Sequence, residues 1–413
     1  MHEPAASGEP ATRGEPAPAH DARLPLTVWA LGFTSLLTDV GSEMIFPLLP
    51  AFLASLGAGP TFLGLVEGLA DATASFFKLG AGYVADRSTR KKPFVIFGYT
   101  LAALMRPLMA MVAAPWQVLA VRLADRVGKG VRSAPRDVLI ANAVPAERAG
   151  RAYGLHRAMD HAGAVFGPLC ATGLLGLGLP VRHVFAAALV PGVLAVIMLR
   201  FVRESAPVAA RAPEQAAARA EAAAAARAVP LPTAFFRYLA VLALFSMGAS
   251  SDAFLLVRAR ELGVAVALLP MLWTVLHVSK VASSYLGGAW SDRVPRARLI
   301  TLGWAIYALS YLGFGMARAA WQVWPLFVVY GIYYGLSEPT EKAIVRDLAP
   351  RAAQGRAFGL YNFVVGFSAV PAGLITGFVW ERVGPQAALG LGAALAGAAS
   401  VALLLLGSSL QRS

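Results

Sequence analysis

Long apolar runs constrain the fold of this chain more than any other feature of its sequence. They recur between residues 27 and 407 in two sets of six, and each approaches the about 20 residues that a helix needs to cross a bilayer. The runs lie near 27–54, 61–84, 94–113, 116–140, 152–178 and 183–202, and then near 234–257, 266–290, 299–317, 321–345, 357–380 and 386–407. Only 14% of the residues are charged, whereas an average soluble domain has about 25%. The sequence therefore predicts an all-α membrane protein with twelve transmembrane helices.

The two sets of apolar runs repeat one another. The segment 130–155 aligns without a gap on 335–360, and the loop 82–91 has a weaker counterpart in 288–296. Secondary transporters that work by rocking are built from duplicated halves, with the binding site near the bilayer midplane. We therefore expect two pseudo-symmetric six-helix halves with a substrate site between them.

The segments outside the apolar runs divide the chain into domains. Residues 1–25 are rich in Ala, Pro and Glu and lack the apolar core of a signal peptide, which predicts a disordered cytoplasmic tail. The first six-helix bundle is expected over 26–202 and the second over 233–407. Between them, 203–232 is rich in Ala, Arg and Pro and is expected to be a cytoplasmic linker. Residues 408–413 are expected to form a short cytoplasmic tail.

Basic residues predict how the chain crosses the membrane. They concentrate in alternate loops, near 85–93, 146–151, 203–232, 291–298 and 346–356. By the positive-inside rule these loops are cytoplasmic, so both termini should be cytoplasmic in a multi-pass protein of the bacterial plasma (inner) membrane. The loop with Arg258 and Arg260 on the opposite side fits this orientation least well. The same bias explains the net charge of +13 without a nucleic-acid partner.

Several function classes lack sequence support. Gly128-Lys129-Gly130 has neither the upstream glycine nor the following Ser or Thr of a phosphate-binding loop, which argues against ATP-driven transport. Cys170 is the single cysteine, so no intrachain disulfide can form. No catalytic constellation is visible. We expect a protein that is not an enzyme, needs no cofactor and acts as a monomer on a small molecule or ion.

One loop resembles the signature of a known family. Between the second and third runs the sequence carries a glycine, an acid and a basic cluster, and the second half repeats part of it: Gly82, Asp86, Arg87, Arg90 and Lys91, then Gly288, Asp292 and Arg293. This pattern is similar to the gate loop of the major facilitator superfamily. The resemblance implies the superfamily's fold, with spans one, four, seven and ten lining a central cavity.

Two further motifs resemble the drug:proton antiporter branch of that superfamily. In the fourth run Arg126 and Gly130 match, whereas Lys129 stands where Gln is usual. In the fifth run Gly163 and Gly167, followed by Pro168, resemble the antiporter motif, although its trailing glycines are replaced. Ordinary close packing of helices through small residues is the alternative interpretation.

Charged residues inside the apolar runs are the candidate functional groups. Each costs about 3 kcal/mol near the bilayer centre unless it faces protein or water. The substrate-binding or proton-coupling candidates are Asp39, Glu43, Asp71, Arg126, Lys129, Asp160, Asp252, Tyr334, Glu338 and Glu341. Acidic and basic residues are present in similar numbers within the runs, so structural ion pairs are the alternative for each of them.

These features favour proton-coupled efflux of a small polar or ionic toxic solute, such as a drug, an anion or a metal. In this hypothesis Asp39 or Glu43 holds a proton in one access state and loses it when Arg126 or substrate charge approaches. His156 and Asp160, at i,i+4, are a weaker alternative as metal ligands. Proton-driven uptake of an anionic nutrient remains an alternative, and so does a scaffold or receptor that does not transport.

Overall fold

The computed structural model describes residues 24–88, 90–145, 148–204, 229–291, 294–350 and 353–410, without the side chains of 83–87, 285–289, 291 and 408–410. Within these residues the chain is helical and has no strand. The helices form twelve membrane-crossing segments, which we call spans one to twelve, as the sequence predicts. The expected N-terminal tail, most of the expected linker and the last three residues lie outside the described ranges.

The first half contains spans one to six. Span one is Leu26–Ile45 followed by the short helices Phe46–Leu48 and Leu49–Ser55; span two is Pro60–Arg87; span three is Lys92–Leu108 with the turn Met109–Met111; span four is Pro115–Asn142; span five is Ala149–Gly176; span six is Val181–Ala187 and Leu189–Met198 with the turn Leu199–Phe201. Prolines at the first turn of the short helices in span one explain why that span is segmented.

The second half repeats this arrangement. Span seven is Thr233–Gly248 and Ala253–Glu261; span eight is the turn Val266–Leu268 followed by Leu269–Ser291; span nine is Arg296–Met316; span ten is Ala320–Leu348; span eleven is Gln354–Arg382; span twelve is Pro385–Leu410. Span seven differs from the continuous predicted run, because its helix stops at Gly248 and restarts at Ala253.

Composition separates the spans into two groups. In the described residues, eight spans contain a window apolar enough to cross a membrane by length and composition alone. The other four are spans two, four, five and ten, which carry most of the candidate charges. Span four shows why they are still compatible with a bilayer: Arg122, Asp125, Arg126 and Arg132 are all buried within the protein. Their charges therefore face other helices rather than lipid.

The two ends of the bundle differ. At the far end the chain turns at glycines with positive φ, including Gly57, Gly263 and Gly384, a backbone conformation that favours glycine. At the opposite end, which we call the basic end, lie Lys91 and Arg203. Spans one, three, five, seven, nine and eleven run from the basic end to the far end.

The halves contact each other most tightly toward the far end. A Cβ atom at Gly377 would lie 2.5 Å from the carbonyl oxygen of Pro60, and one at Gly68 would lie 2.8 Å from that of Ala369. Nearer the basic end a Cβ at Gly359 would meet only the tip of Leu79, at 3.9 Å. Spans two and eleven therefore diverge toward the basic end.

Apolar and polar contacts seal the far end between the halves. The rings of Phe46 and Trp273 lie 4.7 Å apart between centroids, and Ala253 of span seven belongs to the core of the first half. The backbone N–H and hydroxyl of Thr61 donate to the carboxylate of Glu381, at 2.9 and 2.7 Å. The space between the halves is thus closed at the far end and widens toward the basic end.

Candidate substrate and proton site

Part of the charged face of span four is used in structural ion pairs. Arg122 donates to Glu67 of span two at 2.7 Å, and Arg106 of span three donates to Asp125 at 3.0 Å. All four side chains are at most 7% exposed. These pairs fix spans two, three and four to one another. For these residues the ion pairs support the structural interpretation of the intramembrane charges.

Two further arginines of span four also have partners. Arg132 lies over the ring of Tyr99, with 4.4 Å between its guanidinium carbon and the ring centroid, and donates to the carbonyl of Gly98. Arg136 binds the neighbouring Asp137 at 2.9 Å. Neutral groups of the first half therefore hold Arg132, whereas a carboxylate balances the charge of Arg136.

Arg126 and Lys129 are the cations of span four that these contacts leave over. Arg126 is 9% exposed, and its Nε has no hydrogen-bond partner among the described residues. Among the charged groups around Arg126, Asp71 of span two has the strongest electrostatic effect on it. The charged atoms of the two side chains do not come within 4.0 Å of each other, so they do not form an ion pair. Lys129 is exposed to the same space. Among the acidic residues there, Asp39 interacts with it most strongly.

The two acids of span one face different partners. Asp39 is half-buried beside Lys129 and Asp160. Glu43 accepts a hydrogen bond of 2.7 Å from the indole N–H of Trp273, which belongs to the second half. The hypothesis from the sequence paired Arg126 with Asp39 or Glu43. In the structure the acid that interacts most strongly with Arg126 is Asp71.

The second half contributes a carboxylate at the break in span seven. Asp252 lies between the two helical segments and accepts one hydrogen bond from Tyr330 and one from Tyr334, each of 2.6 Å. The hydroxyls of Tyr307 and Tyr311 donate to backbone carbonyls released by the break, those of Gly248 and Ser250. Asp252 and Tyr334 were predicted site residues, whereas Tyr330 and the break were not.

Span ten divides its predicted acids between two places. Glu338 binds Lys280 of span eight at 3.4 Å and Lys342 at 2.9 Å, and the Lys280 amine lies 4.0 Å from the ring centroid of Tyr334. Glu338 thus joins the Asp252 group.

Glu341 does not join it. This carboxylate is buried between spans nine, ten and eleven, where it accepts hydrogen bonds from the Trp304 indole and the Tyr361 hydroxyl, at 2.9 and 3.0 Å. It lies in the core of the second half rather than in the space between the halves.

Span five presents Asp160 toward Asp39. His156 lies one turn earlier, with 3.5 Å between its Nδ1 and Asp160 Oδ2, while Arg157 approaches the same oxygen at 4.0 Å. The described residues contain no cluster of three or more His, Cys, Asp or Glu side chains that could hold a metal ion. The pair alone supplies two ligands, fewer than the three or four protein ligands of a zinc site.

The antiporter-like motif of span five packs against span one. A Cβ atom at Gly163 would lie 2.5 Å from the carbonyl oxygen of Leu36, and one at Gly167 equally close to that of Val40. Pro168 is buried at the same contact. These residues allow two helices to approach closely.

Only part of the predicted gate loop can be placed. The structure does not describe the side chains of Asp86 and Arg87 or the surroundings of Gly288. Asp292 and Arg293 lie outside the described residues altogether. A Cβ atom added at Gly82 would lie 3.8 Å from the Cβ of Ala134 in span four. The backbone N–H groups of Lys91 and Lys92 donate to Glu204, just after span six. Arg90 donates its backbone N–H to the Ser88 hydroxyl.

Comparisons with known proteins agree with this architecture. The profile of the Major Facilitator Superfamily matches residues 31–372. An uncharacterised MFS-type transporter of Methanocaldococcus jannaschii is 30% identical over 384 residues, which cover 91% of this chain and 94% of that protein. The multidrug resistance protein MdtH of Yersinia pestis is 31% identical over 144 residues, covering 35% of this chain and 36% of that protein.

A solved structure shares the fold. A POT family transporter in complex with a thioalcohol-conjugated peptide superposes with a TM-score of 0.76 at 11% identity, over 94% of this chain and 99% of that chain. At this identity the likeness concerns the fold alone.

Proposed function

Since this chain belongs to the Major Facilitator Superfamily and is a multi-pass membrane transporter rather than an enzyme, we propose that it exports a small polar or ionic solute in exchange for protons. One observation carries the proposal. Buried Arg126 and accessible Lys129 face Asp71 and Asp39 without forming ion pairs, in a space that is closed at one end and widens toward the other.

The energetics of these four groups suit coupling. A charge inside a membrane protein is costly unless something balances it. The structural pairs, such as Arg122 with Glu67, are balanced permanently at short range. Arg126, Lys129, Asp39 and Asp71 can instead be balanced by each other, by a proton on a carboxylate or by a charged group of the solute. Proton and solute then compete for one electrostatic site, and each favours a different conformation of the halves.

Export is compatible with the orientation of the chain and is supported by one relative. If the basic end is cytoplasmic, as the positive-inside rule predicts, the described conformation is open to the cytoplasm. It can then take up a solute there while its carboxylates release protons. The partial relative named a multidrug resistance protein supports export. The charged lining favours a polar or ionic solute over an apolar one.

A growth-inhibition panel tests the proposal and identifies the solute class. Cells that lack their major exporters would express the wild type, Arg126→Gln, or the matched control Arg200→Gln, which removes an exposed arginine at the end of span six. We expect the wild type and the control to protect against one class among metals, oxyanions and organic drugs, and Arg126→Gln to lose most of that protection.

Everted membrane vesicles then test the coupling. The protective compound should dissipate a preformed pH gradient, followed with a pH-sensitive dye, in vesicles with the wild type and not with Arg126→Gln. Sensitisation of the cells instead of protection would favour the uptake alternative. Absence of any growth effect together with an unchanged pH gradient would contradict transport of these solutes.

A further inference from the structure

Span eight carries a histidine that the proposed exchange has not yet used. Resting on that proposed function, we infer that His277 is a proton relay between Glu43, at the far-end contact of the halves, and Asp252, at the break in span seven. The relay gives the proton a route through the second half, separate from Arg126 and Lys129.

The helical register places His277 between two polar contacts. Trp273, His277 and Lys280 lie at i, i+4 and i+7 of span eight and therefore share one face. Trp273 donates to Glu43, and Lys280 binds Glu338. Because a helix rises about 1.5 Å per residue, His277 lies only about 6 Å along the axis from Trp273 and about 5 Å from Lys280.

The hydrogen bond of the imidazole determines which nitrogen can accept a proton. His277 Nδ1 lies 3.0 Å from the carbonyl oxygen of Trp273. A carbonyl oxygen only accepts, so Nδ1 carries the hydrogen and Nε2 keeps its lone pair. Nε2 has no hydrogen-bond partner in the described part of the chain, and the ring contacts the Trp273 indole edge at 5.0 Å between centroids. The imidazole is thus held in place with one basic nitrogen available.

The charged and titratable groups around His277 come from several spans. Its charged neighbours are Glu43 of span one, Asp252 of span seven and Lys280 of its own span. Span ten contributes Tyr330 and Tyr334, which bind Asp252, and Glu338, which binds Lys280; span five contributes His161 beside Lys280. His277 therefore has one carboxyl group from each half as its acidic neighbours.

The transfer requires no other reactant. Neither carboxyl lies within hydrogen-bond distance of Nε2 in the described conformation, so each transfer requires a movement that closes the gap. In the first transfer the O–H bond of protonated Glu43 breaks as the Nε2–H bond forms, which leaves a carboxylate and an imidazolium. In the second the Nε2–H bond breaks as an O–H bond forms on Asp252, which restores the neutral imidazole. Asp252 releases the proton into the space that widens toward the basic end. The Glu43 carboxylate then accepts the Trp273 N–H more strongly, which keeps the far end closed while solute binds.

A relay changes the rate of proton loss from Glu43 but not the final equilibrium. We would attach a donor and an acceptor dye at Ala113→Cys and Arg318→Cys, two exposed far-end positions in opposite halves, with Cys170→Ser removing the native thiol. After a rapid pH jump from about 5.5 to about 8.5, across the range in which imidazole titrates, energy transfer would report closure of the far end in liposomes without any solute.

We expect His277→Asn to slow closure about 100-fold, the order of a general acid–base contribution, and to reach the wild-type end point. The Asn amide can still donate to the Trp273 carbonyl, so a merely structural histidine would leave the rate unchanged. His277→Ala should be equally slow and should recover when imidazole is added. The matched control His161→Asn should close at the wild-type rate.

Wild-type rates in His277→Asn or His277→Ala would overturn the relay, as would a wild type whose far end does not respond to pH. Either variant decides alone if the other does not yield folded protein. The assay contains no transported solute, so a protein that passes it and fails the growth panel contradicts the proposed export and leaves the relay standing.

Discussion

Trp273 and Glu43 are joined by a hydrogen bond of 2.7 Å that crosses from one half of the molecule to the other. The bond lies beside the Phe46–Trp273 ring contact, where the far end is closed. Opening the far end must break it, so its strength enters directly into the equilibrium between the two access states.

Trp273→Phe should shift that equilibrium toward the far-open state. The substitution keeps an aromatic ring against Phe46 but removes a bond to a charged group, which is worth about 1.5–3 kcal/mol, or about tenfold or more in population. Energy transfer between dyes at positions 113 and 318 measures the shift. The control is Trp380→Phe, which loses an equivalent bond to Glu261 within the second half; an equal shift in this control would contradict the assignment.

Glu67→Leu should destabilise the first half. It leaves the Arg122 guanidinium buried without its partner, which costs about 3–5 kcal/mol. Adding Arg122→Leu should restore most of the loss, because the two leucines replace a buried pair by apolar contacts. The midpoint of thermal unfolding in detergent checks both steps. Arg346→Leu, which breaks an exposed pair with Asp347, should cost less than about 1 kcal/mol; a double variant as unstable as the single one would disprove the account.

Gly68→Val should loosen the contact between spans two and eleven. The new side chain would meet backbone atoms of Ala369 and Val370, which cannot move aside as a flexible side chain can. We expect greater far-end opening in the same dye assay. Gly80→Val is the matched control, since nothing lies within 4 Å of an added Cβ there. If energy transfer in Gly68→Val equals that of the wild type, the halves do not contact each other at this position.

Arg258→Leu should destabilise the second half by about 1–3 kcal/mol. Arg258 is buried and donates to the carbonyls of Phe314, Gly315 and Ala317 at the end of span nine. These carbonyls would lose their partner in the variant, and thermal unfolding would record the loss. Arg260→Leu, at an exposed position, should have little effect; equal losses would argue against the capping role.

The same arginine explains one limit of the sequence. Counting basic residues treats every arginine in a loop as a charge in water, and Arg258 therefore seemed misplaced at the far end. In the structure it is a buried cap of a neighbouring helix. The apolar runs and the internal repeat together predicted twelve helices in two halves, although spans two, four, five and ten do not qualify as membrane spans by length and composition alone. The destination of one side chain depends on which carbonyls lie near it.

The candidate site shows the same division. The sequence shows which charges lie in span four. It does not decide which of them find partners: Arg122 meets Glu67, whereas Arg126 meets no carboxylate at ion-pair distance. Glu338 and Glu341, three residues apart, separate because Trp304 and Tyr361 bind the second one.

The apolar pattern of the sequence also did not predict the break in span seven. The run near 234–257 is long enough for one helix, although Gly248, Ser250, Ser251 and Asp252 lie within it. The backbone opens at 249–252, where tyrosines of spans nine and ten bind the freed carbonyls and Asp252. These donors come from elsewhere in the chain.

The buried ion pair Arg106–Asp125 corresponds to two tyrosines in the second half. Adding the repeat offset of 205 residues to 106 and 125 gives 311 and 330, and both positions are tyrosines, with ring centroids 6.0 Å apart. A lone arginine or aspartate at this depth would be a severe defect. A duplicated ancestor could pass from ions to phenols here only if both positions changed nearly together, or through a neutral intermediate. The barrier to that passage would help to keep the two halves chemically distinct, and a chain built from two copies of either half would not reproduce this molecule.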